Sequence, residues 1–179
     1  MKPLHRVLVA LCGIVVLVLA IGFTLPTTWH AEQTIVIQAT PGAIYPWIAS
    51  FKDGWRQWSP FGLAADPGMH MTYEGPDSGV GAAQRWTASK KGDGQMSIVA
   101  ADPTQGVRYQ LTMVNGFNVN GHIAFATEGS ATRVTWTDDG EFTHPLSRYV
   151  GLIMPRMLEP TLARGLNNLK KQTEQHTFP

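Results

Sequence analysis

Hydrophobic and polar positions divide the chain into three unlike stretches. Val7–Leu25 is nineteen residues without a charge, thirteen of them Leu, Ile, Val or Phe. As a helix rising ~1.5 Å per residue it would be about 28 Å long, close to the ~30 Å hydrocarbon core of a bilayer. From Gln33 to about residue 142 the apolar residues come in short alternating runs separated by turn residues, the signature of strands. From Leu146 to Glu174 they recur at helical spacing. Leu158, Leu162, Leu166 and Leu169 form one stripe, with Arg164, Lys170, Lys171 and Glu174 off it.

The flanks of the first stretch fit a retained membrane anchor. Lys2 and Arg6 precede it, Pro26 ends it, and Trp29 falls where an interfacial aromatic would sit. A cleavable signal peptide is the competing reading, but its apolar run is ~7–15 residues long and followed by small residues at the cleavage site. Here Thr28-Trp29-His30-Ala31 puts bulky residues at that place, and Ala20-Ile21-Gly22 lies inside the run. Leu11 before Cys12 argues against lipidation of the cysteine. The positive-inside rule keeps Lys2 and Arg6 cytoplasmic and predicts the rest of the chain on the extracytoplasmic side.

In the middle stretch, Gln33–Gln38 predicts a first strand. Thr40-Pro41 then supplies an N-cap and a first helical residue for a short helix to about Ala49. Pro46 predicts a bend or break in that helix. Trp55–Pro60 predicts a short helix or turn. Strands are predicted over Met69–Glu74, Gly81–Ser89, Gln95–Ala101, Gly106–Met113, Asn120–Glu128 and Ala131–Gly140, as an antiparallel meander broken at sites such as Asn115-Gly116 and Glu128-Gly129-Ser130. Pro155 and Pro160 predict a kink or separate turn in the first third of the last helix. One sheet face must then bury itself against that helix, and a curved sheet wrapped round a helix leaves a hollow between them.

Composition narrows the chemistry. The 14 Lys and Arg, two of them Lys2 and Arg6, stand against 13 Asp and Glu, and Lys90-Lys91 and Lys170-Lys171 are isolated pairs read as solvated. No basic stripe favours nucleic acid. The one cysteine excludes a multi-Cys metal site, and the six His show no ligand spacing, so no metal or cofactor is expected. Asp138-Asp139-Gly140-Glu141 is the densest acidic cluster. It lacks the regular oxygen spacing of a calcium loop and reads as a solvated strand end. Gly79-Val80-Gly81 lacks the rest of a phosphate loop, and no Gly-x-Ser-x-Gly elbow is present.

The order of motifs resembles the SRPBCC (START-like, polyketide cyclase/dehydrase) superfamily. The matching residues are Ile35–Gln38 leading into Thr40-Pro41-x-x-Ile44-Tyr45-x-Trp47, then Trp55-x-x-Trp58-Ser59-Pro60 with Asp66-Pro67. Tyr73-Glu74-Gly75-Pro76, Gly79-Val80-Gly81-Ala82 before Trp86, Gly94-x-Met96-x-Ile98 and Val107-x-Tyr109-x-Leu111 follow in order. Ala131-Thr132-Arg133-Val134-Thr135-Trp136 and Gly165-Leu166-x-x-Leu169-Lys170 complete the set. The resemblance implies an α+β helix-grip fold, a curved antiparallel sheet around a long C-terminal helix, enclosing an apolar ligand cavity. Here it would be preceded by one transmembrane helix. The expected division is a cytoplasmic N-terminus (1–6), an anchor (7–25), a linker (26–32), the START-like domain (33–174) and a tail (175–179).

Such a cavity needs a few polar groups within apolar walls. Trp47, Tyr73, Arg85, Trp86, Met96, Tyr109, His122, Trp136 and Met157 are the candidate ligand-binding residues, set against the plainer reading that the aromatics are core and Arg85 is a surface partner of a carboxylate. Period-2 alternation predicts Arg85 and Trp86 on opposite faces and Tyr109 with Leu111. The favoured expectation is a membrane-anchored domain binding a small hydrophobic or amphipathic, lipid-like molecule. A cyclase, dehydratase or hydrolase would need an acid/base pair converging on the hollow, and Glu74 with Arg85 is the pair to test. A non-catalytic envelope interaction domain would show a filled core and an exposed apolar patch.

Overall fold

The computed structural model describes residues 2–62, 66–87 and 92–175. Lys90-Lys91, the end of the strand predicted to Ser89, and most of the predicted tail with His176 lie outside them. Helix α1 (Lys2–Thr24) is apolar all round and exposed along nearly its whole length. Among the described residues, one helix, Pro3–Thr24, is long and apolar enough to cross a membrane.

Strand β1 (Thr28–Ile37) starts inside the segment predicted as linker. Its polar residues disguise a period of two: Trp29 and Ala31 are buried while Thr28, His30 and Glu32 face out. Helix α2 (Pro41–Ala49) follows, with Thr40 at the N-cap position. The Thr40 carbonyl accepts the first helical bonds, from Ala43 and Ile44, but its side chain makes no cap bond. A π-helical turn (Phe51–Trp55) runs into the one-turn helix α3 (Arg56–Trp58).

The remaining strands are β2 (His70–Glu74), β3 (Ala83–Thr87), β4 (Gly94–Asp102), β5 (Gly106–Met113), β6 (Asn118–Glu128) and β7 (Ala131–Glu141). They form one seven-stranded antiparallel sheet in the order β1-β7-β6-β5-β4-β3-β2, so the first strand closes onto the last. Helix α4 (Pro145–Gln175) lies in the grip of that curved sheet. It is a single helix through both Pro155 and Pro160, each of which withdraws one N–H from its ladder without ending it.

Burial explains the seating of α4. Leu162, Leu166 and Leu169 are almost inaccessible and join Ile37, Ile44, Ile48, Val134 and Trp136 in one core. Gly165 lets the helix approach, since a Cβ there would stand 2.6 Å from the Trp136 ring and 2.8 Å from Pro60. At its far end Lys170 is not merely solvated. Its Nζ donates to the Val36 carbonyl (2.7 Å) and pairs with Glu174 (3.3 Å), whose Oε1 accepts from the Gln38 amide (2.7 Å).

Candidate functional site

Sheet, α3 and the middle of α4 enclose a cavity of about 520 Å³. Its walls are mainly apolar: Trp86, Met96, Leu111, Met113 and Val119 from the sheet, Phe117 from the β5–β6 connection, and Met154 and Leu158 from α4. Trp29, Trp55, Phe61, Met69 and Met71 complete them. The polar lining comes from Arg56, Ser59, Gln84, Tyr109 and Asp138, and Asp138 is the sole carboxylate among the described lining residues.

One cross-strand row builds the polar centre. Tyr109 on β5 pairs with Gly121 on β6, and Gly121 pairs with Asp138 on β7. The Tyr109 ring lies over Gly121, where any Cβ would fall inside the ring, and so reaches the strand beyond. Its hydroxyl donates to Asp138 Oδ1 at 2.5 Å, and the Trp136 indole N–H donates to the same hydroxyl at 2.8 Å. Two further lining aromatics lie over glycines in the same way. The Trp29 indole covers Gly140 and the Trp86 indole covers Gly94, each at 2.5 Å from a would-be Cβ.

Below this row, the rings of Trp55, Trp58 and Trp136 pack edge-on or tilted with centroids 5.0–5.8 Å apart. Trp55 and Trp58 also donate their indole N–H groups to the carbonyls of Ile48 (2.6 Å) and Trp47 (2.8 Å). This welds the turn after α2 to α2 itself and makes a rigid floor.

Asp138 is 4% exposed, and burial pushes its carboxyl up to about 7; the Tyr109 hydroxyl opposes that shift and Asp139 adds to it. Burial and the nearby Asp138 push the Tyr109 phenol well above its usual value, so it remains a donor. Asp139 faces the other way and meets His30, its Oδ1 being 2.6 Å from His30 Nδ1. That hydrogen bond is the main reason the His30 imidazole is raised. The acidic cluster read as a solvated strand end is thus split by the strand's own period, one carboxylate in and the next out.

The other sequence-predicted residues scatter. Trp86, Met96 and Tyr109 line the cavity. Trp47 and Trp136 are buried in the core beside it. Tyr73 and Glu74 line a neighbouring groove of about 470 Å³ that shares Met71 with the cavity. Arg85, as its period predicts, is opposite in face to Trp86. Its Nε meets Glu74 at 3.3 Å with both side chains 57% exposed, so this pair cannot act as an acid/base couple in the hollow. His122 sits between buried Gly121 and Ile123 and therefore points to the outer face, where burial and Arg108 lower its imidazole. Met157 is 65% exposed, and Met154 and Leu158 on the adjacent stripe take its place in the wall. Asp138 and Gln84 were missed because polar identity outweighed their parity with Trp136 and Trp86.

The sequence profile of a family described as polyketide cyclase / dehydrase and lipid transport matches residues 28–174. The chain belongs to that family. The match begins with β1 and ends within the last turn of α4, so the family domain and the helix-grip fold coincide. No curated protein matches the sequence. Among solved structures it is similar to the KanY protein (TM-score 0.61, 16% identity, covering 83% of this chain and 99% of that one). Norcoclaurine synthase from Thalictrum flavum is similar at TM-score 0.60 and 14% identity, with 83% and 88% covered. The Zhui aromatase/cyclase from Streptomyces sp. R1128 is similar at TM-score 0.57 and 14% identity, with 83% and 94% covered. At these identities the likeness is one of fold.

Proposed function

We propose that this family member is a membrane-anchored binding module that holds a lipid-like molecule in the cavity between sheet and α4. The observation that carries this reading is the hollow itself: about 520 Å³, mainly apolar, with one buried carboxyl hydrogen-bonded at its polar centre. That size and polarity suit a small amphipathic ligand whose apolar body fills the walls and whose hydroxyl or amine meets Asp138. A filled core, which a pure interaction domain would have, is not what these walls form. The α1 segment supports an anchor, with residues 7–25 in the bilayer and the domain outside the cytoplasm, given Lys2 and Arg6 ahead of the span.

Native mass spectrometry of the full chain extracted in detergent tests the binding. A co-purified apolar molecule is expected, with its loss in Met113→Trp, which fills the wall. Empty wild-type protein would overturn the reading. A periplasmic-type reporter enzyme fused to the C-terminus tests the side, and activity is expected.

A second reading, an acid/base enzyme, is favoured by one observation: a carboxyl tuned to about 7 beside a phenol donor within the cavity. Incubating the co-purified ligand with wild type and with Asp138→Asn separates the two. A mass change that needs Asp138 marks an enzyme; unchanged masses mark a carrier.

A further inference from the structure

The first three turns of α4 carry an apolar surface that the protein itself does not cover. Leu146, Val150, Ile153 and Met157 follow one another at i, i+4, i+7 and i+11, a single helical stripe, and are exposed by between 41% (Val150) and 65% (Met157). The core-facing stripe of the same helix, Met154 to Leu169, is a separate one.

These turns are bound to α1. Arg148 Nη1 donates to the carbonyls of Phe23 (2.9 Å), Leu25 (3.4 Å) and Gly22 (3.5 Å) at the end of that helix. The Tyr149 hydroxyl donates to the Val18 carbonyl at 2.8 Å, a full turn deeper. Gly22 permits the contact, since a Cβ there would stand 2.7 Å from the Pro145 carbonyl oxygen. If residues 7–25 occupy the hydrocarbon, an element that touches Val18 and Phe23 cannot stand clear of the bilayer. The charge pattern agrees: no Asp or Glu lies between Glu141 and Glu159, so no carboxylate on this stretch would be pressed into the lipid.

We propose that Leu146, Val150, Ile153 and Met157 form a second membrane contact, sunk into the outer interface of the bilayer that holds α1. This rests on the reading of α1 as a retained anchor and deepens it: the domain is laid against the lipid with a fixed face and does not swing on a linker. Interfacial helices bury their apolar face ~5–10 Å into the headgroup boundary, about the depth an exposed Ile or Met reaches. Met154 and Leu158, on the same turns, belong to the cavity wall, so the α4 side of the cavity borders the lipid.

Depth-dependent quenching of an environment-sensitive fluorophore tests this on the full chain. The protein is reconstituted in phosphatidylcholine/phosphatidylglycerol vesicles carrying a nitroxide near the top of the acyl chain. The label is placed on native Cys12, or in a Cys12→Ser background on Ile153→Cys, Met157→Cys or the exposed Arg164→Cys about two turns further along. Labels at 12, 153 and 157 are expected to lose most of their fluorescence, and the label at 164 to keep it. Quenching at 12 with 153 and 157 as bright as 164 overturns the second contact and leaves the anchor standing. No quenching at 12 removes the anchor, and this contact with it.

Discussion

Asp138 shows how one residue's chemistry is set by its neighbours across the sheet. Its folded-state carboxyl titrates near 7 against an ordinary 3.8, so the native state holds a proton that the unfolded chain has released between those values. Stability therefore falls as pH rises through that window, and the penalty is complete above about 7. His30, raised by Asp139, adds a loss of the same sign as pH rises through its own range, so the wild-type curve alone does not isolate Asp138. Asp138→Asn keeps the shape and cannot ionise. It is expected to flatten the slope between pH 5 and 8 and to raise the pH 8 melting temperature, by about 2–4 °C for each kcal/mol of relieved penalty. Calorimetry at both pH values checks this, and a lower pH 8 melting temperature for Asn would refute the assignment. Gly121→Ala attacks the same row from beneath by displacing the Tyr109 ring and its bond to Asp138. A loss of about 1–3 kcal/mol in urea denaturation is expected. Gly42→Ala, at an exposed position of α2 with open space around it, is expected instead to stabilise by up to about 1 kcal/mol. The period of β7 gives Asp138 the parity of Trp136, but its place in an acidic cluster led the sequence reading to a solvated strand end. What was not legible was the partner, because the phenol that makes burial of a carboxyl tolerable comes from β5, with Gly121 between them.

Among the elements, α4 was legible from its leucine stripe and β1 only in part. The leucines repeat at a spacing that needs no tertiary information, and Leu162, Leu166 and Leu169 are indeed the most deeply buried residues of that helix. Its prolines argued for a break, yet the packing of the leucine face holds the helix through them. The first half of β1 was read as linker because Thr28, His30 and Glu32 dominate its composition. Only pairing with β7, from Thr28 with Glu141 to Ile37 with Thr132, makes it a strand. Leu166→Ala tests whether the grip depends on that stripe. Removing a buried side chain of this size costs about 2–5 kcal/mol, so chemical denaturation should show a loss in this range. A loss under about 1 kcal/mol would mean that the sheet closes without α4 seated in it.

At the scale of the whole molecule, the α1 helix and the sheet domain meet at one charged side chain. Arg148 spreads its Nη1 over the carbonyls that α1 leaves unpaired at its C-terminus and sends Nη2 to the Thr143 carbonyl at 3.1 Å. A cation is favoured there by the helix dipole as well as by these acceptors. Its Nε is buried without an acceptor, so part of that gain is offset. Arg148→Met keeps the aliphatic stem and removes both effects. The expected result is local: the described core of β5–β7 and the second half of α4 keep their protection in hydrogen exchange, while amides of Leu146–Leu152 and the last turn of α1 exchange faster. Loss of charge-assisted hydrogen bonds of this kind costs ~1.5–3 kcal/mol, enough to raise those exchange rates by roughly one to two orders of magnitude if opening of the joint is their route. Uniform acceleration across the domain would instead make Arg148 part of the global fold. No change anywhere would mean that Tyr149 to Val18 and the Gly22–Pro145 contact hold the joint by themselves, which Tyr149→Phe in the same background would then expose.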